Sequence, residues 1–238
     1  MQWTSESIVI KQQPFNDEKS LCWVFSAVNG LHKGLLAINK KSRIQIQLGS
    51  IITATWKARL PEHLGNYYCE LLRPLSMSII NDKLKLSSVI SICDILCLCL
   101  PEKIAEEKLY DSLIGYLLSL KENKDWVIDY LKLELLILQE IGYGLSLDRC
   151  VVTGSKKDLH YVSPKTGMAA SKQAGAAYHD KLLILPQFLM NDQPVKEGDL
   201  KAGFELIEHF IYQRICKPQS IKFPLSRKRF FDLISSNS

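Results

Sequence analysis

Apolar and polar residues alternate most clearly between Ile52 and Leu60. Every second residue in this segment is apolar, and the intervening positions hold Thr53, Thr55, Lys57 and Arg59. A period of two is typical of a β-strand with one buried face. We therefore predict a strand whose outer face carries hydroxyl groups and cations.

Four other segments in the first 80 residues indicate β-strands. They are Ser7–Gln12, Leu21–Val28, Leu31–Ile38 and Tyr67–Arg73. Asn29 and Gly30 separate two of these segments and are a strong hairpin signal, because a type I′ turn needs positive φ at both central positions. Five short strands in about 70 residues favour a small closed barrel, and the oligonucleotide-binding (OB) fold is the leading candidate.

Most aromatic residues on these strands are predicted to lie in the core. Trp23, Phe25 and Trp56 fall on the apolar side of their strands. Tyr67 and Tyr68 are neighbours and point to opposite faces, so one of them can be exposed. Because OB folds stack single-strand bases on exposed rings, this pattern is only a weak signal for stacking.

After residue 80 the apolar spacing becomes helical. The predicted helices are Asp82–Leu100, Glu106–Leu120, Asp125–Ile141, Asp199–Cys216 and Ser226–Ile234. Residues 146–178 are irregular and contain a strand and turn at Tyr161–Gly167, which predicts a small β-hairpin subdomain. The predicted fold class is α+β, with a five-stranded OB-fold barrel in residues 1–80. A mainly α-helical domain follows in residues 81–238 and carries the hairpin insertion.

Positive charge is concentrated in the predicted barrel. Residues 1–80 hold 9 Lys/Arg and 5 Asp/Glu, a balance of +4, out of +5 for the whole chain. A locally basic domain suggests a polyanionic partner, and the alternative is a solvated lysine surface. We predict that several of these cations line one face and neutralise DNA phosphates. The candidates are Lys11, Lys33, Lys40, Lys41, Arg43, Lys57, Arg59 and Arg73.

A second basic segment lies between Phe210 and Phe231 and contains no acidic residue. Beside an apolar groove, such a segment would suit an acidic peptide with an apolar tip. The candidate partner-binding residues are Arg214, Lys217, Arg227, Lys228 and Arg229. The alternative is a polar C-terminal helix whose cations lie near the helix end.

Catalytic motifs are weak throughout the chain, so we predict that the protein is not an enzyme. Gly154–Lys157 is similar to the end of a phosphate-binding loop but lacks the earlier glycine of that motif. Neither H-E-x-x-H nor G-x-S-x-G occurs. A metal-dependent nuclease is a remote third class, because Glu62, Glu70 and Asp82 have no recognisable spacing.

Cysteine usage and hydropathy favour a cytosolic protein. The 7 cysteines form no C-x-x-C pair, and free thiols fit a reducing compartment. The first residues lack the basic and apolar segments of a signal peptide. The longest apolar run, Val89–Leu100, contains Asp94 and is too short to span a bilayer, so we expect no membrane partner.

Three stretches together resemble the RecO family of recombination mediators. The first comprises Gly30–Gly34 with Lys40–Arg43, the second is Leu48–Gly65, and the third runs from Gly142 to Gly175. Their order and separation both fit, so the resemblance covers nearly the whole chain. The architecture that it implies, a barrel followed by a helical domain, agrees with the strand and helix pattern.

The resemblance implies a bacterial, cytoplasmic, nucleoid-associated protein that binds single- and double-stranded DNA and anneals complementary strands. With the partner RecR, it would help the RecA recombinase displace single-strand-binding protein (SSB). It would also bind the acidic C-terminal tail of SSB, and no cofactor is implied. The main alternative is an OB-fold adaptor that binds acidic peptide tails without contacting DNA.

Many RecO-like proteins carry a zinc site made of two C-x-x-C pairs, and this chain departs from that pattern. The corresponding positions hold Cys150 with Thr153 and Ser171 with Ala174. One thiolate cannot hold a tetrahedral structural zinc, so we expect no metal. The insertion then corresponds to a degenerate zinc finger, in which the hairpin at residues 159–170 holds the region together.

Overall fold

The computed structural model describes residues 1–38, 46–60, 62–122, 124–191 and 193–237. The described residues fall into two compact units. The first is Met1–Asn123 with Ser226–Phe230, and the second is Lys124–Leu225 with Phe231–Ser238. Within the described ranges, no helix is long and apolar enough to cross a membrane.

A closed β-barrel occupies the start of the first unit. Its strands among the described residues are β1 (Gln2–Pro14), β2 (Lys19–Ser26), β3 (Gly30–Ala37), β4 (Ile51–Lys57) and β5 (Asn66–Arg73). They close in the order β1-β2-β3-β5-β4, with β3 and β5 parallel and the other neighbours antiparallel. This topology confirms the predicted five-stranded OB-fold barrel.

Helices α1 (Met77–Ile80), α2 (Lys83–Cys99) and α3 (Glu107–Ser119) follow the barrel within the same unit. The side chain of Asp82 caps α2 by accepting hydrogen bonds from the backbone amides of Leu84 and Lys85. The predicted helices agree with α2 and α3 to within one residue at each end. The division of the chain into domains at residue 80 stays a prediction.

Buried side chains from four strands fill the barrel interior. They are Val9, Cys22, Val24, Ile52, Ala54, Trp56 and Tyr67. In β4 the buried positions alternate with Thr53 and Thr55, which are half-buried, and with Lys57, which is exposed. The predicted inner and outer faces are therefore confirmed from Ile52 to Lys57. The strand ends there, and Leu60, which the prediction places on the inner face, is 44% exposed.

In strand β2 the residues that face the barrel interior are not the predicted ones. Cys22 and Val24 face the interior, whereas the prediction places Trp23 and Phe25 there. Phe25 is buried outside the barrel, with its ring centroid 5.9 Å from that of Tyr110 in α3. Trp23 is half-buried, and the Lys11 ammonium lies 5.4 Å from its ring centroid. The predicted phase is wrong because both faces of β2 are apolar: one lines the barrel and the other meets a helix, so alternation does not distinguish them.

Gly30 closes the β2–β3 hairpin with a φ of +61°. Pairing begins with Ser26 opposite Gly30, so the loop is residues 27–29 and is longer than the predicted two-residue turn. A Cβ atom at Gly30 would overlap the backbone carbonyl oxygen of Ile104. Only glycine satisfies both the positive φ and this close approach.

An aromatic cluster of Trp3, His32, Trp56 and Tyr67 closes one end of the barrel. The His32 ring centroid lies 5.2 Å from that of Trp3 and 4.8 Å from that of Trp56. The His32 Nδ1 lies 3.0 Å from the Tyr67 hydroxyl, which donates to the His32 carbonyl at 3.1 Å. Burial, together with the positive charge of Lys103, lowers the pKa of His32 to about 4.

In the second unit, a small sheet carries the predicted hairpin. Its elements are β6 (Leu159–Val162), β7 (Ala169–Ser171), α5 (Lys172–Gly175) and β8 (Leu183–Ile184), with the strands in the order β7-β6-β8. Gly167 has a φ of +74° at the end of the β6–β7 turn, which is where the sequence predicts the turn to close.

Two longer helices of the second unit are α4 (Trp126–Leu138) and α6 (Asp199–Ile211), and each continues into a π-helical turn. Tyr130 of α4 stacks on Phe204 of α6, with ring centroids 6.0 Å apart. The Tyr130 hydroxyl donates to the buried Glu134 carboxylate at 2.7 Å. Helix α7 (Leu225–Asn237) completes the helical part that the sequence predicts after the barrel.

We expect the protein to lose stability as the pH falls from about 7 to about 4. The unfolded chain takes up a proton on His32 near the ordinary pKa of 6.5, whereas the folded barrel resists protonation down to a pKa of about 4. Acid therefore favours the unfolded chain, with His32 contributing roughly 2–3 kcal/mol to the loss.

Urea denaturation across this pH range, on the wild type and on His32→Gln, measures the contribution. The variant is expected to lose less stability on acidification, by about the amount assigned to His32. If the two proteins lose the same free energy of unfolding, the pKa of His32 is not lowered in the folded state.

Candidate nucleic-acid interface

The outer surface of β1, β4 and β5 carries rows of side chains that face the same way. We define this β1–β4–β5 face by the rows Gln2–Lys57–Asn66, Thr4–Thr55–Tyr68 and Glu6–Thr53–Glu70. Successive rows are two residues apart along each strand, or about 7 Å. The Thr4 and Thr55 hydroxyl oxygens lie 2.9 Å apart, so the middle row is held together by a side-chain hydrogen bond.

Tyr68 is the exposed aromatic residue of this face, whereas its neighbour Tyr67 points into the barrel. The side chain of Tyr68 is 63% exposed, and the Lys57 ammonium lies 5.5 Å from its ring centroid. A shallow groove of about 630 Å³ runs past Tyr68 and is lined by Thr4, Thr53 and Thr55 among others. An exposed ring beside a cation and hydroxyl groups can stack on a base and bind its phosphate.

Charge changes sign from one end of the β1–β4–β5 face to the other. Lys57 and the exposed Arg59, which follows β4, lie at one end. Glu6 and Glu70 flank Thr53 at the other end, where the Glu6 carboxylate accepts a hydrogen bond from Tyr110 at 3.0 Å. A polyanion is therefore attracted mainly to the end that carries Lys57 and Arg59.

The other described cations of the predicted DNA-binding set lie elsewhere on the barrel. Lys11 lines a separate groove with Asp94 of α2. Lys33 of β3 forms an ion pair with Glu102 at 2.9 Å. Arg73 is exposed at the far end of β5, opposite Ile51. The structure thus brings Lys57 next to Tyr68, with Arg59 two residues further along the chain, and places these three cations on other parts of the surface.

Lys40, Lys41 and Arg43 lie outside the described residues. Contact of these three residues with DNA stays a prediction. The same holds for every other cation of the predicted DNA-binding set.

The predicted partner-binding residues fall in both units. In the second unit, Arg214 donates to the Lys165 carbonyl at 2.8 Å, and Lys217 is exposed. In the first, Lys228 and Arg229 are exposed on α7.

Arg227 is fully buried, so its predicted place in an exposed basic rim is wrong. Within one helical turn, residues 227, 228 and 229 point in different directions, and the position of Arg227 faces inward. Ser226, at the preceding position, donates to Asp94 at 2.6 Å and ties this part of α7 to α2 within the first unit.

The residues at the four zinc-ligand positions of RecO-like proteins are joined here by hydrogen bonds. The backbone amide of Ser171 donates to the Cys150 sulfur at 3.3 Å, and the Cys150 thiol donates to the Ser171 hydroxyl oxygen at 3.6 Å. The Ser171 hydroxyl oxygen also accepts from the backbone amide of Ala174 at 3.3 Å. Although burial raises the pKa of the Cys150 thiol, hydrogen bonds from Thr153 and Ser171 outweigh that effect and lower it to about 6.

This network links the two halves of the insertion through one sulfur atom. Among the residues that the structure describes, no group of three or more His, Cys, Asp or Glu side chains could hold a metal ion. Zinc-finger ancestry of the insertion is not confirmed by this geometry and stays a prediction.

We expect the triple variant Thr153→Cys, Ser171→Cys, Ala174→Cys to bind about one zinc ion per chain, because it completes four thiolates with Cys150. The wild type is expected to bind none. Metal analysis by mass spectrometry after dialysis against zinc measures both. The same triple variant with Cys150→Ser is the control and should bind zinc more weakly. Zinc retained by the wild type, or absent from the triple variant, would contradict the correspondence of these positions.

Comparison with known proteins places the chain in a class of recombination proteins. Residues 1–74 match the family model "Recombination protein O N terminal", and residues 80–220 match "Recombination protein O C terminal". Together the two matched segments cover most of the chain, the first spanning the barrel and the second beginning just before α2.

Curated relatives extend over nearly the same length. A DNA repair protein RecO of Anaplasma marginale (strain St. Maries) is 40% identical over 233 residues, which cover 96% of this chain and 97% of that protein. Those of Wolbachia sp. subsp. Drosophila simulans (strain wRi) and Rhodospirillum rubrum are 34% and 32% identical, each over 98% of this chain and at least 96% of their own length. The chain belongs to the RecO family.

Proposed function

We propose that this protein is a non-enzymatic DNA-binding recombination mediator that acts in DNA repair in the bacterial cytoplasm. It binds single- and double-stranded DNA, anneals complementary strands and, with RecR, helps to load RecA onto SSB-coated DNA. Membership of the RecO family supports the repair role. The observation that carries DNA binding is the exposed Tyr68 beside Lys57 on the outer face of an OB barrel, with the exposed Arg59 two residues after Lys57.

The proposed contact has an electrostatic part and a stacking part. Lys57 and Arg59 neutralise phosphates, and the Thr4 and Thr55 hydroxyls reach phosphate oxygens along the groove. Tyr68 offers its ring to a base, and stacking of this kind accepts every base. We therefore expect binding with little sequence preference and a strong dependence on salt.

The salt dependence of binding tests the electrostatic part. If about six phosphates are neutralised, the logarithm of the binding constant should fall with the logarithm of salt concentration with a slope of roughly −5. In Lys57→Glu/Arg59→Glu the slope should become shallower by about 2, because two phosphate contacts are lost. Fluorescence anisotropy with a labelled oligo(dT) measures both proteins.

A control variant with the same charge change is Lys156→Glu/Lys157→Glu, whose exposed cations lie on the second unit. An equal effect of both variants would mean that net charge, and not the β1–β4–β5 face, governs binding. A wild-type slope near zero would refute the electrostatic account altogether.

The adaptor alternative makes a different prediction for DNA but the same prediction for the SSB tail. An OB-fold adaptor would bind an SSB-tail peptide and ignore DNA, whereas the proposed mediator binds both. Titration of the full chain with the peptide and with oligo(dT), in separate experiments, separates the two functions.

Incubation of the protein with labelled DNA and magnesium or manganese tests for the remote nuclease activity, and intact DNA is the expected result.

Annealing tests the cations that lie outside the described residues. We expect Lys40→Glu/Lys41→Glu/Arg43→Glu to slow annealing of SSB-coated complementary strands about tenfold, because three candidate phosphate contacts become repulsive. Annealing is followed by the fluorescence of a labelled strand pair, and SSB-tail affinity is measured in parallel. Unchanged annealing would remove these three residues from the proposed DNA contact.

A further inference from the structure

A cavity of about 510 Å³ lies at the end of the barrel that the aromatic cluster closes. Its walls include Gln2, Trp3, Val28, His32, Trp56 and Lys103. The volume falls within the range of about 300–1,000 Å³ that is typical of small-molecule sites, and such sites combine aromatic walls with a few polar groups. We call it the mouth cavity.

The aromatic walls of the mouth cavity are held rigidly. Trp3 and Trp56 are nearly parallel, at 20°, with ring centroids 6.2 Å apart. The Trp56 indole nitrogen donates to the Leu64 carbonyl at 2.9 Å, and His32 is fixed by Tyr67. Because Trp56 is buried and Trp3 is only half-buried, Trp3 offers its ring to a ligand without any rearrangement of the core.

Charge around the mouth cavity favours an anionic ligand. Lys103 lies in the wall of the cavity, and the positive charge of Lys103 helps to lower the pKa of His32. The nearby carboxylate of Glu102 is paired with Lys33 at 2.9 Å, so it does not leave the region negative. Gln2 and Asn29 add neutral polar groups to the wall. A ligand with a flat ring and an attached phosphate uses both the aromatic and the cationic parts.

The mouth cavity opens beside the cationic end of the β1–β4–β5 face. Gln2 lines the cavity and pairs directly with Lys57 across β1 and β4. The row that holds Gln2 and Lys57 is about 7 Å from the row that holds Tyr68. A strand that stacks on Tyr68 and passes Lys57 therefore reaches the cavity within a short distance.

We propose that the mouth cavity takes one unpaired base of a bound single strand, stacked on Trp3, with its phosphate near Lys103. This inference rests on the proposed function, since it concerns the same strand that lies on the β1–β4–β5 face. It explains why a flat aromatic surface and a cation are placed together at the barrel end. An apolar peptide side chain would use the ring but not the cation.

Photocrosslinking locates the stacked base. Oligo(dT) that carries iododeoxyuridine crosslinks to aromatic side chains on which the modified base stacks, and mass spectrometry of the irradiated complex identifies the residue. We expect crosslinks at Trp3 in addition to Tyr68. Val28→Trp fills the cavity from its rim, where Val28 is 70% exposed, and should abolish the Trp3 crosslink and weaken oligo(dT) binding about tenfold.

The matched control is Phe15→Trp, which adds the same side chain at an exposed position at the other end of β1. It should leave both the crosslink and the affinity unchanged. Trp3→Leu is a second variant, which removes the ring but keeps an apolar side chain in the barrel end. It should weaken binding by a similar factor.

Several outcomes overturn the proposal while leaving the proposed function intact. One is salt-dependent DNA binding by the wild type with no crosslink at Trp3, His32 or Trp56. Another is a Val28→Trp variant that binds DNA like the wild type. A third is a Val28→Trp variant that loses affinity only for an SSB-tail peptide, which would assign the cavity to a protein segment. If the wild type binds no DNA even at low salt, the proposed function itself fails.

Discussion

Closure of the N-terminal barrel depends on one long strand whose two halves pair with different neighbours. The first half of β1, from Gln2 to Ile8, pairs with β4, and the second half, from Ile8 to Pro14, pairs with β2. A register shift between Val9 and Lys11 accompanies the change of partner. This shared pairing closes the backbone ladder, so that no long strand edge is left open. It also aligns Thr4, Thr55 and Tyr68 in one row, which no single hairpin would do.

Much of the barrel could be predicted from the sequence. Where only one face of a strand is buried, apolar and polar residues alternate along it. Strand β4 has such a pattern, and its inner and outer residues are as predicted. Strand β2 is covered on both sides, so Phe25 and Val24 are both buried although they point in opposite directions. Alternation also cannot say where around a barrel a strand lies. The sequence therefore does not show that Lys11 and Lys57 lie on different parts of the surface, because their positions depend on pairing between strands that are distant in sequence.

The candidate site was harder to predict for the same reason. The sequence indicates that either Tyr67 or Tyr68 is exposed, but the choice depends on which neighbour the barrel interior accepts. In the sequence, Arg227 and its neighbours form one continuous basic segment. Because a helix turns about 100° per residue, adjacent residues face different directions, and the Arg227 side chain is buried. Around Cys150 the resemblance predicts four related positions. The hydrogen bonds that now join them follow from hydroxyl and amide groups whose geometry only the fold supplies.

The close approach of Gly30 to Ile104 has a dynamic consequence. The backbone amide of Lys103 donates to the Leu31 carbonyl at 2.8 Å, and Leu31 and Glu102 form a parallel bridge. The segment after α2 is thus joined to the start of β3 by a single β-bridge and a backbone hydrogen bond. Opening of the β2–β3 hairpin must break these bonds as well as its own, so the two segments should exchange their amide hydrogens as one cooperative element. Breathing at this end of the barrel is thereby coupled to the start of the helical layer.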